Sequence, residues 1–208
     1  MTPASSTKLF LLRHGEVEAR YHRIFGGRID MELSPRGHQQ ARALAAYLGN
    51  THFNAIFASP MKRAQQTLAP LAENHLVTAV TMADLREVDF GEWTGLSWQQ
   101  VHERFKVEAF DWLDRLDKAA IPAAESAAQF RARVEPCLRK ILHDCSGQTV
   151  AIVCHGGVIR MLLSILLDMP ITKMAHLDVE YASATIVECQ HRKNEVQLLN
   201  FTPWRDLP

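Results

Sequence analysis

The chain has 208 residues, which is enough for one well-buried domain, and no stretch resembles a linker between two domains. Apolar residues make up 47% and charged residues 22%, which are ordinary values for a globular protein. Lysine plus arginine equals aspartate plus glutamate at 23 each, so no overall charge attracts nucleic acid or an anionic membrane. Any attraction for an anion must be local.

The cysteines and the first residues indicate the compartment. The four cysteines show neither C-x-x-C spacing nor a dense disulfide framework, which favours a reducing cytosol. The N-terminal segment is polar, and the apolar run after it is too short for a signal peptide or a membrane span. We therefore expect a cytoplasmic protein that does not enter a membrane.

An apolar run at residues 9–12 ends at Arg13, His14 and Gly15. Four consecutive apolar residues are typical of a central parallel strand that is covered on both faces. Ligand sites in open α/β sheets lie just beyond the carboxyl ends of such strands. His14 is therefore a candidate reactive imidazole, although this tripeptide alone could equally be the polar exit of a core strand.

The next loop, residues 17–30, contains arginines around the pair Gly26 and Gly27. Backbone amides and guanidinium groups both suit anionic oxygens, so Arg20 and the two glycines are candidate phosphate contacts. A solvated basic loop is an equal alternative.

Two serine-proline pairs predict helix starts. Ser34 and the proline after it begin an amphipathic helix, and a strand at residues 53–58 leads to the same pattern at Ser59. Arg63 would then lie in the first turns of the second helix, where its side chain and free amides can share one anion. A capping or surface salt bridge is the alternative for this arginine.

A third strand is predicted at residues 77–82, and the loop at residues 85–95 mixes carboxylates with aromatic side chains. A carboxylate that is partly shielded by aromatic rings can remain a proton donor near neutrality. Glu87, Asp89 and Glu92 are the candidates, and each could instead be solvated. Short helices with aromatic stripes follow at residues 96–125.

A second histidine-glycine pair ends a later strand. Thr149–Cys154 runs into His155, Gly156 and a nearly continuous apolar helix at residues 157–168, and an antiparallel hairpin is predicted for the tail. If the two strands are neighbours in one parallel sheet, both imidazoles project into the same crevice. Together with the two candidate arginines they would form a pocket for a dianion such as a phosphoryl group.

These motifs, in this order, resemble the histidine phosphatase superfamily, also called the phosphoglycerate mutase-like family. The resemblance spans about residues 8–165. It implies a three-layer α/β sandwich with a mostly parallel central sheet, formed by a single domain at residues 1–208 with a small helical cap inserted at about residues 96–125. The motifs are Arg13-His14-Gly15-Glu16, Ser59-Pro60 through Arg63 to Thr67, Glu87 within Leu85 to Trp93, and His155-Gly156-Gly157.

The resemblance also implies a role for each candidate. Neutral His14 would attack phosphorus and become phosphohistidine. Glu87 would protonate the leaving group and then deprotonate the attacking water. The phosphoryl oxygens would be bound by Arg13, Arg63 and His155, the last as imidazolium, with Gly156 and the 17–30 loop. Many relatives carry asparagine at the place of Arg20, so this loop contact is the least secure.

The sequence also bears on cofactors and partners. It has no H-E-x-x-H motif, no cysteine cluster and no Walker loop, so we expect no cofactor and no metal. Positive side chains would take the metal's place. The expected partner is a small phosphorylated substrate, with no nucleic acid and no membrane. The oligomeric state stays open, with a homodimer among the arrangements allowed.

Two alternatives to a phosphomonoesterase remain. A phosphoglycerate mutase is disfavoured by the short cap, by Gly157 where mutases carry asparagine, and by Phe90 where they carry tyrosine. A non-catalytic binder of phosphorylated ligands would be expected to have lost His14 or Glu87. The short cap and the Asp89 to Trp93 stretch look most like broad-specificity phosphatases and α-ribazole phosphatases, a choice that rests on analogy.

Overall fold

The fold is built on a central sheet of mixed direction. The computed structural model describes residues 6–75, 77–190 and 192–207, so residues 1–5, 76, 191 and 208 of the predicted domain lie outside it. The strands of the described ranges are β1 (Thr7–Arg13), β2 (Ala55–Ala58), β3 (Val80–Thr81), β4 (Thr149–Cys154), β5 (Ala184–Cys189) and β6 (Asn194–Phe201). Their order across the sheet is β3-β2-β4-β1-β5-β6.

Most neighbouring strands are parallel, as predicted. β1 pairs in parallel with β4, β4 with β2, and β2 with β3, whereas β5 is antiparallel to both β1 and β6. The strand predicted at residues 53–58 is confirmed in shorter form as β2, and the one at residues 77–82 is reduced to the two-residue β3. The tail hairpin is confirmed as β5 and β6 at one edge of the sheet.

Helices cover both faces of the sheet. They are α1 (Pro35–Leu48), α2 (Lys62–Glu73), α3 (Trp98–Phe105), α4 (Trp112–Asp117), α5 (Ala127–Asp144), α6 (Gly156–Leu166) and α7 (Pro203–Asp206). Among the described helices, none is long and apolar enough to cross a membrane.

The central strand β1 explains the layering. Leu9 and Leu11 belong to the core cluster that contains the apolar residues of α5 and α6, whereas Phe10 and Leu12 belong to the cluster of α1 and α2. Side chains alternate between the two faces of a strand, so a continuous apolar run requires cover on both sides. The predicted three-layer α/β sandwich is confirmed.

The two predicted helix starts have different outcomes. The Ser34 side chain accepts a hydrogen bond from the Gly37 N–H, and α1 begins at the following proline, as predicted. The start predicted at Ser59 is wrong, because α2 begins at Lys62 and Met61 is its N-cap. The Ser59 hydroxyl lies 2.7 Å from Nε2 of His155 and so is engaged elsewhere.

The sheet register places the two histidines side by side. Arg13 pairs with Cys154, so the residues after them, His14 and His155, leave the same edge of the sheet. Their ring centroids lie 5.2 Å apart. The prediction that both strands are neighbours in a parallel sheet is confirmed. α2 starts just beyond β2, the other neighbour of β4, and so brings Arg63 to the same edge.

The loop after β3 is held in place by Arg133 of α5. Its guanidinium binds the Glu125 carboxylate through Nε at 2.9 Å and Nη2 at 2.7 Å. The same carboxylate accepts the Asp89 N–H at 2.8 Å. Arg133 thereby ties the end of the cap region to this loop. Its remaining N–H groups donate to the carbonyl oxygens of Asp84, Arg86 and Glu87 at 2.6, 2.8 and 3.1 Å.

We expect Arg133→Ala to lower the free energy of unfolding by about 2 kcal/mol, because the largely buried Glu125 carboxylate loses its close ion pair. The Glu125 side chain is only 11% exposed, and its other cation, Arg28, lies farther away at 3.9 Å. Urea denaturation of the wild type and the variant measures the difference.

The matched control is Arg139→Ala, which removes another arginine of the same helix. Arg139 is 75% exposed and pairs with Glu135, so solvent replaces most of what the ion pair supplies. This variant should unfold close to the wild-type midpoint. Equal losses in both variants would contradict the special role of the Arg133–Glu125 pair.

Candidate active site

A cleft lies at the carboxyl ends of β1 and β4. It holds a cavity of about 200 Å³ that opens to solvent. The predicted site residues that line it are Arg13, His14, Gly26, Gly27, Arg63, Glu87 and Gly156. His155 lies against this group and is completely buried.

His14 is held as a neutral imidazole. Its Nδ1 lies 2.8 Å from the carbonyl oxygen of Gly15, which can only accept, so Nδ1 carries the proton and Nε2 is unprotonated. Burial lowers the pKa of His14 well below its usual value, and the nearby charges of Arg63 and Arg13 lower it further. Neutral Nε2 is the nitrogen that a nucleophilic role requires.

Arg63 joins the two histidines. Its Nε–H lies 3.2 Å from both Nε2 of His14 and Nδ1 of His155. Nη1 and Nη2 donate to the carbonyl oxygens of Ile29 and Gly27 at 2.7 and 3.0 Å, which fixes the 17–30 loop against the site. Burial lowers the pKa of Arg63 to about 10, so the guanidinium stays charged at neutral pH.

His155 has the hydrogen bonds of a neutral imidazole. Because Arg63 can only donate, Nδ1 of His155 accepts, and Nε2–H donates to the Ser59 hydroxyl at 2.7 Å. Burial lowers the pKa of His155 well below its usual value, and Arg63, His14 and Arg13 act in the same direction. The imidazolium expected when phosphoryl oxygens bind stays a prediction.

Arg13 has a hydrogen-bond donor that no described residue accepts. Its Nη1 donates to the Val179 carbonyl oxygen, and its guanidinium lies 4.1 Å from the ring centroid of Tyr181. Its Nε is buried and has no hydrogen-bond partner among the described residues. A buried donor of this kind is costly unless a ligand or water satisfies it, which suits an anion-binding position.

Glu87 approaches from the opposite side of the cleft. Its carboxylate accepts the N–H of Gly157, at the start of α6, at 3.1 Å and that of Val88 at 3.0 Å. A Cβ on Gly157 would overlap Oε1 of Glu87, so only glycine allows this placement. The two other candidate acids do not line the cleft, since Asp89 accepts the Gly91 N–H and Glu92 pairs with Arg104.

Arg20 and Cys154 lie apart from this cluster of site residues. Arg20 is not among the described residues lining the cleft; its side chain is 68% exposed and pairs with Glu18 at 3.0 Å. Cys154 is fully buried on β4, and burial raises the pKa of its thiol, as for a structural thiol. No group of three or more His, Cys, Asp or Glu side chains that could hold a metal ion occurs in the described ranges.

Three residues at the site were not predicted. Ser59 orients His155, Tyr181 covers Arg13, and Arg160 lines the cleft while donating to the carbonyl oxygens of Gly156, Met174 and Leu177. Of these three, only Arg160 could have been predicted from the sequence, because it lies one helical turn after Gly156.

Comparisons with known proteins agree with this geometry. The Histidine phosphatase superfamily (branch 1) matches residues 9–202. Phosphoserine phosphatase 1 of Hydrogenobacter thermophilus is 30% identical, over 94% of this chain and 92% of that protein. The adenosylcobalamin/alpha-ribazole phosphatase of Escherichia coli is 26% identical, over 93% of this chain and 95% of that protein.

A solved structure supports the same assignment. A mycobacterial glucosyl-3-phosphoglycerate phosphatase superposes with a TM-score of 0.82 at 26% identity, over 94% of this chain and 99% of that one. The match of the family over nearly the whole chain, together with this likeness, settles the assignment. The chain belongs to the histidine phosphatase superfamily, branch 1.

Proposed function

We propose that this protein is a metal-independent phosphomonoesterase that works through a phosphohistidine on His14. Its family and its phosphatase relatives support phosphatase activity. The observation that carries the proposal is the neutral His14, with its Nε2 lone pair beside the Arg63 guanidinium in a cleft that also holds Glu87.

In the first half-reaction, Nε2 of His14 attacks phosphorus and forms a P–N bond. The bond from phosphorus to the alcohol oxygen breaks, and that oxygen takes a proton from the carboxyl group of Glu87. In the second, a water molecule attacks phosphorus and gives a proton to the Glu87 carboxylate. The P–N bond breaks, its electron pair returns to Nε2, and inorganic phosphate is released.

The cations stabilise the charge that this transfer spreads over the phosphoryl oxygens. Arg63 supplies a buried positive charge, and Arg13 supplies an Nε–H that has no protein partner in the described part of the chain. A bound dianion would also favour the imidazolium form of His155, opposing the burial that lowers its pKa.

Gly157, where mutases are expected to carry asparagine, and the short cap favour hydrolysis over the mutase alternative. A Cβ at position 157 would move the Glu87 carboxylate from its present position. We propose small phosphorylated metabolites as substrates, with α-ribazole phosphate as one candidate. We also propose one catalytic domain, with residues 96–125 as its cap.

The test is phosphate release from a panel of phosphomonoesters in EDTA, including p-nitrophenyl phosphate, 3-phosphoglycerate and α-ribazole phosphate. His14→Ala should reduce kcat by about 10³-fold or more, because the attacking atom is lost. His143→Ala is the matched control, since that imidazole is 88% exposed. Loss of activity in EDTA that a divalent ion restores would overturn the proposal, and interconversion of phosphoglycerates without net release would identify a mutase.

Glu87→Gln should act selectively. An alkyl phosphate needs a proton on its leaving oxygen, whereas p-nitrophenolate leaves without one, so formation of phosphohistidine should slow far more for the alkyl ester. Single-turnover kinetics on both esters measure this step. Equal slowing of the two esters would argue against proton donation by Glu87.

The stability of the protein should fall as the pH drops below about 6.5. Both buried histidines have a pKa lowered from 6.5, so the unfolded chain binds protons there that the folded chain does not. Below pH 6.5, each histidine lowers the free energy of unfolding by up to about 1.4 kcal/mol for every unit by which the pH falls. Above pH 6.5 this dependence on pH vanishes. Urea denaturation between pH 5 and 8 measures it.

The variant pair for this prediction is His155→Gln and His143→Gln. The first should reduce the slope, because one buried titrating group is removed, and the second should keep it, because His143 is 88% exposed. An unchanged slope in His155→Gln would contradict the assignment.

A further inference from the structure

The part of the cleft away from the phosphoryl cluster is aromatic. Its other lining residues include the apolar Val17, Ile24, Met31 and Val179. In a phosphomonoesterase this region receives the alcohol part of the substrate. The aromatic residues that line the cleft are Tyr21, Phe25, Phe90, Trp98, Trp112 and Tyr181.

Four of these rings form one connected wall. Phe25 lies 4.9 Å from Phe90 and is stacked with Trp98 at 6.5 Å and 22°. Phe90 meets Trp112 edge to face at 5.3 Å. Phe25 and Phe90 are buried supports, whereas Trp98 is 49% exposed and Trp112 partly exposed. The wall is therefore preformed and leaves indole surface uncovered, which suits a flat apolar group.

The same cleft provides few cations for a second anionic group. Among the described residues that line it, the cations are Arg13, Arg63 and Arg160. The first two lie at the phosphoryl cluster, and Nη1 of Arg160, like Nε of Arg13, adjoins Gly156 at the same end of the cleft. A carboxylate held against the aromatic wall would therefore lose water without a described lining cation beside it, which is costly.

Resting on the proposed function, we propose that the substrates are phosphomonoesters whose alcohol carries an uncharged aromatic ring. Trp98 and Trp112 contact that ring, and both belong to the cap region. Esters whose alcohol carries a carboxylate are disfavoured. This assignment narrows the proposed function, because it selects one class among the small phosphorylated metabolites.

The test compares 2-phenylethyl phosphate, n-propyl phosphate and phosphoserine. Each leaves as a primary alcohol, so the comparison isolates the group beyond the leaving oxygen. The wild type should show a kcat/KM about tenfold higher for the phenylethyl ester than for the propyl ester, as expected for burial of one ring. Phosphoserine should be the poorest of the three.

Trp112→Leu and Trp98→Leu should each lower the ratio of phenylethyl to propyl kcat/KM toward one. Tyr47→Leu is the matched control, because Tyr47 of α1 is an aromatic residue that is 38% exposed, does not line the cleft and packs against Phe201. It should keep the wild-type ratio. Two tryptophan variants are used so that one misfolded protein does not decide the result.

The outcomes separate the two proposals. Phosphate release with equal kcat/KM for phenylethyl and propyl esters, or with phosphoserine preferred, would overturn the aromatic assignment and leave the phosphatase proposal standing. Unchanged ratios in both tryptophan variants would also overturn it. No release from any ester, p-nitrophenyl phosphate included, would overturn the proposed function and this inference with it.

Discussion

The site depends on the burial of one guanidinium group. Arg63 is only 2% exposed, and its hydrogen bonds reach two histidine rings and two carbonyl oxygens of the 17–30 loop. A buried cation is tolerated only when its donors are satisfied. The strand ends, the start of α2 and the loop therefore have to meet at one point. Burial, reinforced by the same positive charge, lowers the pKa of both imidazoles.

The acid side of the site is assembled independently. Glu87 reaches the cleft on a loop fixed by Arg133, and its carboxylate rests on the backbone of Gly157. The cations thus come from β1 and α2, whereas the carboxylate arrives on the segment between β3 and α3. The carboxylate and the cations therefore rest on separate supports in the fold.

The features that could be predicted from the sequence are those set by neighbouring residues in the chain. An apolar run that stops at a histidine predicts where that imidazole will lie, because parallel strands end at a common edge. Ser34 followed by proline predicted a helix correctly, yet the same pattern at Ser59 failed. The difference is that the Ser59 hydroxyl is engaged by His155, which is 96 residues away in the chain. Tyr181 was missed for a similar reason, since its contact with Arg13 exists only after folding.

The contact between Gly157 and Glu87 has a consequence for how such proteins diverge. A side chain at position 157 would displace the carboxylate from its present place beside the Gly157 N–H, so a change at one position alters the surroundings of the other. A lineage that acquired a larger residue there would hold the carboxylate of residue 87 in a different orientation. Positions 87 and 157, 70 residues apart in the chain, should therefore covary across descendants of this fold.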